Sequence, residues 1–186
     1  MRELILGGQK SGKSRAAESR AAAWLATPGH EALLIATALA GDAEMAVRID
    51  RHQQDRARRV PGLQTVEEPT SLASAVRAQG AAHRLLVIDC LTLWLTNLMQ
   101  PLAGPPLNLD DVERATDDLT AAVHACKGPV VLVSNEIGWG VSPLCAQTRH
   151  FIDALGHLHQ RLATVCEPVT LMVAGRALRL RPPEAM

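Results

Sequence analysis

The stretch Gly7-Gly8-Gln9-Lys10-Ser11-Gly12-Lys13-Ser14 has the residue types and the spacing to hold a chain of phosphates. It fits the pattern Gly-x4-Gly-Lys-Ser, with a short apolar run before it and a helical segment after it. Glycines let successive backbone N–H groups curl around phosphate oxygens. The amino end of the following helix turns toward the same anion. Lys13 brings a point charge to the outer phosphates, and Ser14 offers a hydroxyl to Mg²⁺. Asp89 closes "LLVID" at 85–89, an apolar strand tipped by an acid. A carboxylate there can hold Mg²⁺ directly or through water. The plain alternative is an acid capping the segment that follows. The loop by itself leaves the reaction open, because kinases, NTPases and transporters share it.

A second stretch, "AEMAVRIDRHQQDR" at 43–56, is not explained by a phosphate loop. It reads as a helix and holds one histidine, His52. Met45, Ile49 and His52 stand at i, i+4 and i+7, so they share a helical face. Glu44–Arg48 and Arg51–Asp55 are i,i+4 pairs suited to lacing the remaining surface. On spacing alone, His52 is a residue at the core's border with one satisfied hydrogen bond.

The elements that must position these residues can be read from pattern. Strands are expected at "ELILGG" (3–8), 32–38, "LQTVEEP" (63–69), 84–90, "GPVVLVSNE" (128–136), 169–175 and 176–182. Helices are expected over 11–26, 41–57 with Asp42 as cap, 70–80, 109–126 and 144–166. "LTLWLTNLM" at 91–99 is helical or irregular, and 100–108 and 137–143 are loops. Strands alternating with helices predict an α/β fold: a P-loop NTPase-like three-layer arrangement with a mostly parallel central sheet. No linker or repeat divides residues 1–186, so one catalytic domain is expected. Ligands in such sheets bind beyond the carboxyl ends of the strands. The tips Gly7, Thr37, Asp89 and Asn135 should therefore converge on one rim.

Composition narrows the function. Lys plus Arg equal Asp plus Glu at 19 each, which gives no reason to expect a nucleic acid or a membrane surface as partner. One Phe and no Tyr leave little for stacking on single-stranded nucleic acid. Cys90, Cys126, Cys145 and Cys166 form no close pair, and a chain of 186 residues needs no disulfide scaffold. No apolar run approaches the ~20 residues of a membrane span. The loop at 7–14 interrupts the first apolar run, so no secretory leader is expected and the cytoplasm is the default compartment.

Taken together, the segments resemble the bifunctional cobinamide kinase / cobinamide-phosphate guanylyltransferase family of adenosylcobalamin synthesis. "GGQKSGKSRAAE", "IATA", "DAEMAVRIDRHQQDR", "TVEEP", "DCLTLWLTNL" and "LVSNEIGWGVSP" carry the likeness. So do Arg149, Phe151, Asp153, Gly156, Gln160 and Ala163 at the family's spacing. The resemblance spans nearly the whole chain. It implies phosphorylation of adenosylcobinamide by ATP or GTP, then transfer of GMP from GTP to adenosylcobinamide phosphate. It implies that GMP is carried covalently on His52, which reverses the reading from spacing. It further implies nucleotide contacts from Ala36, Thr37 and Ala38, from Gln53, Gln54, Asp55 and Arg56, and from Glu67. The plain alternative for Glu67 is a cap on the helix beginning near Thr70. A homo-oligomer, a trimer, is implied as well, with "LTLWLTNLM" as either interface or core.

Three positions depart from the family pattern. Arg51-His52 stands where many relatives have His-His, Asp89 where some have Glu, and His159 where Asn often precedes Gln160. Two other functions compete. A P-loop kinase of another small metabolite would leave His52 structural. A GTP-dependent binding switch would use "SNEIGWG" as its switch, but no base-specifying NKxD pattern accompanies it.

Overall fold

The computed structural model describes residues 1–180, apart from the side chain of Arg48. The expected Glu44–Arg48 pair, and Arg181 and Pro182 of the last expected strand, thus lie outside the described residues. Seven strands form one sheet: β1 (Arg2–Gly7), β2 (Glu31–Ala36), β3 (Leu63–Glu67), β4 (Arg84–Asp89), β5 (Val130–Val133), β6 (Val169–Val173) and β7 (Arg176–Leu180). Their order is β3-β2-β4-β5-β1-β6-β7. All neighbours are parallel except β6 and β7, which form an antiparallel hairpin at one edge.

Among the described residues there are six helices: α1 (Lys13–Leu25), α2 (Ala43–Arg59), α3 (Leu72–Gln79), α4 (Leu91–Met99), α5 (Leu109–Ala125) and α6 (Ala146–Ala163); the others cover the sheet, while α2 buries none of its described side chains. Successive strand side chains point to opposite faces, so the strands other than the exposed β7 feed two cores. Leu4, Leu33, Ile35, Leu86, Ile88 and Leu132 pack under α3, α4, α5 and α6. Ile5, Leu34, Leu85, Val87 and Val131 pack under α1, with Val60 at the end of α2. The segment 91–99 is helical, and Leu91, Trp94, Leu95 and Leu98 bury it in the larger core. The Trp94 indole N–H donates to the Thr70 carbonyl at 2.7 Å.

Local chemistry sets the ends. Asp42 caps α2, its carboxylate accepting the Met45 N–H at 2.7 Å. The cap offered as the plain alternative for Glu67 is not made by it. Glu68, not Glu67, braces the start of α3 by accepting the Thr70 and Ser71 N–H groups at 3.0 and 2.7 Å. β5 is shorter than expected: past Val133 the Asn135 N–H turns to Thr92 Oγ1 at 2.8 Å, while the Ser134 and Glu136 N–H groups still reach the Ile5 and Gly7 carbonyls of β1 at 3.0 Å. Among the described residues no helix is long and apolar enough to cross a membrane.

Candidate active site

β1 delivers the chain into the loop 7–14, and α1 starts inside it at Lys13. Gly7 is required by space: a Cβ there would stand 2.4 Å from the Met172 carbonyl oxygen. Gly12 caps α1 with φ 103, a left-handed conformation that favours glycine. The β6–β7 turn buttresses the loop, with the Gly175 N–H donating to the Ser11 carbonyl at 2.9 Å. Gly8, Gln9 and Lys10 are exposed, while Ser11, Gly12 and Ser14 are half-buried. Ser11 Oγ is buried with no hydrogen-bond partner among the described residues.

Lys13 is buried, and its ammonium donates to the Gly7 and Gly8 carbonyls at 2.9 and 2.8 Å. Burial pushes its pKa down, and the nearby Cys90 and Asp89 oppose that shift. Asp89 ends β4 half-buried, in register with Ala36 of β2 and Val133 of β5. The peptide after it is gripped by Thr37, whose Oγ1 accepts the Cys90 N–H at 2.9 Å and donates to the Cys90 carbonyl at 2.7 Å. The Thr37 carbonyl in turn accepts Asn97 Nδ2 at 2.8 Å. Thr37 therefore braces the turn beneath Asp89, between the half-buried Ala36 and Ala38. Gly7, Thr37, Asp89 and Asn135 do lie at the same edge of the sheet. The Glu136 N–H donates to the Gly7 carbonyl at 3.0 Å, closing that rim between β5 and β1.

α2 reaches this rim by its carboxyl-terminal turns. Arg56 is half-buried. Burial works against its charge, and Asp89 and Glu18 favour it. Arg59 forks over Glu18 of α1. Its Nη2 donates to Oε1 at 3.3 Å and its Nε stands 3.1 Å from Oε2, without the alignment of a hydrogen bond. Burial raises the Glu18 pKa, with Arg59 and Arg56 pulling it back. On the other flank, Gln53 Nε2 donates to Glu67 Oε1 at 3.5 Å. His52, Arg56 and Arg59 share one face at i, i+4 and i+7. His52 is exposed, about 6 Å along the axis from Arg56 at 1.5 Å per residue. Gln53, Gln54 and Asp55 are exposed beside it. Met45 and Ile49 are only half-buried, so the stripe they make with His52 does not run into the core.

Glu18, Arg59, Thr92 and Ser134 escaped sequence reasoning, and His159 drew notice only as a departure from the family pattern. Glu18 had a local signal, as a lone acid in the alanine-rich α1. The contacts of Thr92, Ser134 and His159 had none, since the three are joined only by the fold.

The donor set for a divalent cation is sparse. Among the described residues no group of three or more His, Cys, Asp or Glu could hold a metal. Ser14 and Asp89 supply one hydroxyl and one carboxylate. That suits Mg²⁺, which binds through one or two protein oxygens while phosphates and water complete its shell.

A phosphate loop between β1 and α1, and an acid-tipped β4 one strand away from β1, define a P-loop nucleotide-binding protein. A solved structure described as an ATPase domain has this fold: TM-score 0.51 at 12% identity, covering 91% of this chain and 68% of that one. The family described as cobinamide kinase / cobinamide phosphate guanyltransferase matches residues 3–180. The chain is 47% identical to the bifunctional adenosylcobalamin biosynthesis protein CobP of Pseudomonas aeruginosa, over 97% of this chain and 98% of that one. It is 37% identical to CobU of Salmonella typhimurium, over 96% and 98% of the two chains. The chain belongs to the cobinamide kinase / cobinamide phosphate guanyltransferase family.

Proposed function

We propose that this chain carries out two successive transfers: phosphorylation of adenosylcobinamide by ATP or GTP, and transfer of GMP from GTP to adenosylcobinamide phosphate through a guanylyl-His52 intermediate. The observation that carries the second half is the placement of α2. Its Arg56, one turn from His52, shares the electrostatic surroundings of Asp89, which in turn acts on Lys13. In this reading a nucleotide in the loop 7–14 lies against the face of α2 that bears His52.

In the guanylyl half, an imidazole nitrogen of His52 bonds to the α-phosphorus of GTP, and the bond to pyrophosphate breaks. A phosphate oxygen of the acceptor then bonds to the same phosphorus, and the P–N bond breaks to return neutral imidazole. Division into two displacements is nucleophilic catalysis. Lys13 and Arg56 stabilise charge on the phosphates during both displacements. Ser14 and Asp89 are the residues that would hold Mg²⁺, which when bound neutralises phosphate charge. The kinase half needs no protein nucleophile, only positioning and charge neutralisation. Ala36, Ala38, Gln53–Asp55 and Glu67 belong to the nucleotide site in this reading, with Thr37 shaping its floor. One catalytic domain working within a homo-oligomer, a trimer, is part of the same proposal.

Parallel reactions with α-labelled and γ-labelled GTP test it. Label from the γ position should reach adenosylcobinamide, and label from the α position should reach first protein and then adenosylcobinamide phosphate. Transfer of γ label alone would leave a kinase of the simpler kind.

A further inference from the structure

The carboxyl end of β5 carries side chains that neither the phosphate loop nor α2 uses. Three neighbours tie it down. The Asn135 N–H donates to Thr92 Oγ1 at 2.8 Å, and that oxygen lies 3.2 Å from Ser134 Oγ. Ser134 Oγ lies 2.8 Å from Nε2 of His159, and both residues are buried. The Glu136 N–H is bonded to the Gly7 carbonyl at 3.0 Å. One arrangement of protons gives each hydroxyl an acceptor: Thr92 donates to Ser134, and Ser134 donates to His159 Nε2. Nδ1–H of the neutral ring then faces Glu136 Oε2, 3.8 Å away. Burial favours that neutral ring, lowering the His159 pKa against the pull of Glu136.

The Glu136 carboxylate is thereby set in one place. Its Oε1 accepts the Gly138 N–H at 3.0 Å. It forms one wall of a cavity of about 300 Å³ between the segment after β5 and α6, across from Asp153, Gly156 and Gln160. Glu136 therefore joins two compartments, with its backbone on the phosphate loop and its side chain in the cavity.

We infer that Glu136 is the base that receives the proton of the phosphoryl acceptor, and that this cavity takes the acceptor's hydroxyl-bearing arm. The inference rests on the kinase half of the proposed function. In the step, the acceptor oxygen bonds to the γ-phosphorus. The bond from that phosphorus to the β–γ bridging oxygen breaks, and its electron pair leaves with the nucleoside diphosphate. The hydroxyl proton passes to a Glu136 carboxylate oxygen. Guanylylation of His52 consumes no acceptor hydroxyl, so it needs neither the base nor the cavity.

Two variants test this on the full-length protein. Glu136→Gln keeps the shape of the side chain and removes the base. Its kinase turnover should fall about 10²–10⁴-fold, while guanylylation of His52 by GTP stays at the wild-type level. Gly156→Leu fills the cavity, since a Cβ at 156 meets nothing within 4 Å. It should raise KM for the acceptor and leave guanylylation unchanged. Undiminished kinase turnover in Glu136→Gln, an equal loss of both reactions, or an unchanged acceptor KM in Gly156→Leu would overturn the inference. Wild-type protein assayed alongside separates the two levels. Absence of phosphorylated acceptor from the wild type removes the kinase reading, whereas product from both wild type and Glu136→Gln removes only the role of Glu136.

Discussion

Replacing Lys13 by Met should separate catalysis from stability. The methionine keeps an apolar stem of similar length and deletes the ammonium. Lys13 is 7% exposed, so its charge acts on a bound phosphate with little screening from water. Loss of one such group from a preorganised site costs about 10²–10³ in rate, and more where charge on a transferring phosphoryl group is concerned, so a fall near ~10³ is expected, or ~4 kcal/mol. The fold should hardly notice. The ammonium's two acceptors each keep another donor: the Gly7 carbonyl has the Glu136 N–H at 3.0 Å, and the Gly8 carbonyl has the Ser11 N–H at 3.2 Å. No carbonyl is orphaned, and the burden of burying a cation, visible in the lowered Lys13 pKa, disappears. The net change in stability should stay within about 1 kcal/mol, which for a chain of this size shifts Tm by about 2–4 °C. γ-Phosphoryl transfer and thermal unfolding measured on one preparation decide the matter. Activity retained within a factor of about ten, or a collapse of Tm in step with activity, would refute the reasoning.

Asp89→Asn keeps the shape of the side chain and removes its charge, so the Mg²⁺ concentration for half-maximal rate should rise in both reactions; an unchanged titration points to a capping role. Arg59→Ala leaves Glu18, 7% exposed, without its partner. In a double-mutant cycle with Glu18→Ala the coupling should be about 1–3 kcal/mol, below the fully buried range because Arg59 is partly solvated. The same substitution should slow guanylylation more than kinase turnover, because it loosens the end of α2. His159 predicts a dependence on pH. Burial holds the folded-state imidazole below its ordinary 6.5, with Glu136 opposing. As pH falls through 6.5 the unfolded chain takes up the proton first, so stability is lost from there down to the folded-state pKa. His159→Asn should flatten that part of the Tm profile, and an identical slope in both proteins contradicts it.

Much of the architecture was legible because it is local. The phosphate loop, the acid at the end of β4 and the Asp42 cap are each encoded within a few residues. The largely apolar segment 91–99, with Thr92, Thr96 and Asn97 among its leucines and Trp94, fits burial on most sides, as α4 shows. α2 was harder. Spacing groups Met45, Ile49 and His52 on one face but does not say whether that face is covered. What fixes the helix is the contact of Arg59 with Glu18, 41 residues away. The two glutamates of "TVEEP" look alike in sequence, yet Glu68 turns into the start of α3 and Glu67 stays exposed toward Gln53. β5 ended early where the Asn135 N–H turns to the Thr92 hydroxyl, 43 residues away, which no periodicity foretells. The Thr92–Ser134–His159 chain spans separations of 42 and 25 residues and exists only once the sheet has formed.

In the proposed function, His52 carries GMP from GTP to adenosylcobinamide phosphate. Intact mass of the protein after incubation with GTP and Mg²⁺, followed by peptide mapping, tests it most directly. One GMP-sized adduct should appear on His52. It should be labile in acid and stable in base, as phosphorus bonded to imidazole nitrogen requires. In His52→Ala the adduct and GMP transfer should vanish while phosphorylation of adenosylcobinamide continues. An adduct mapped to another residue, or one that persists undiminished in His52→Ala, would contradict the account.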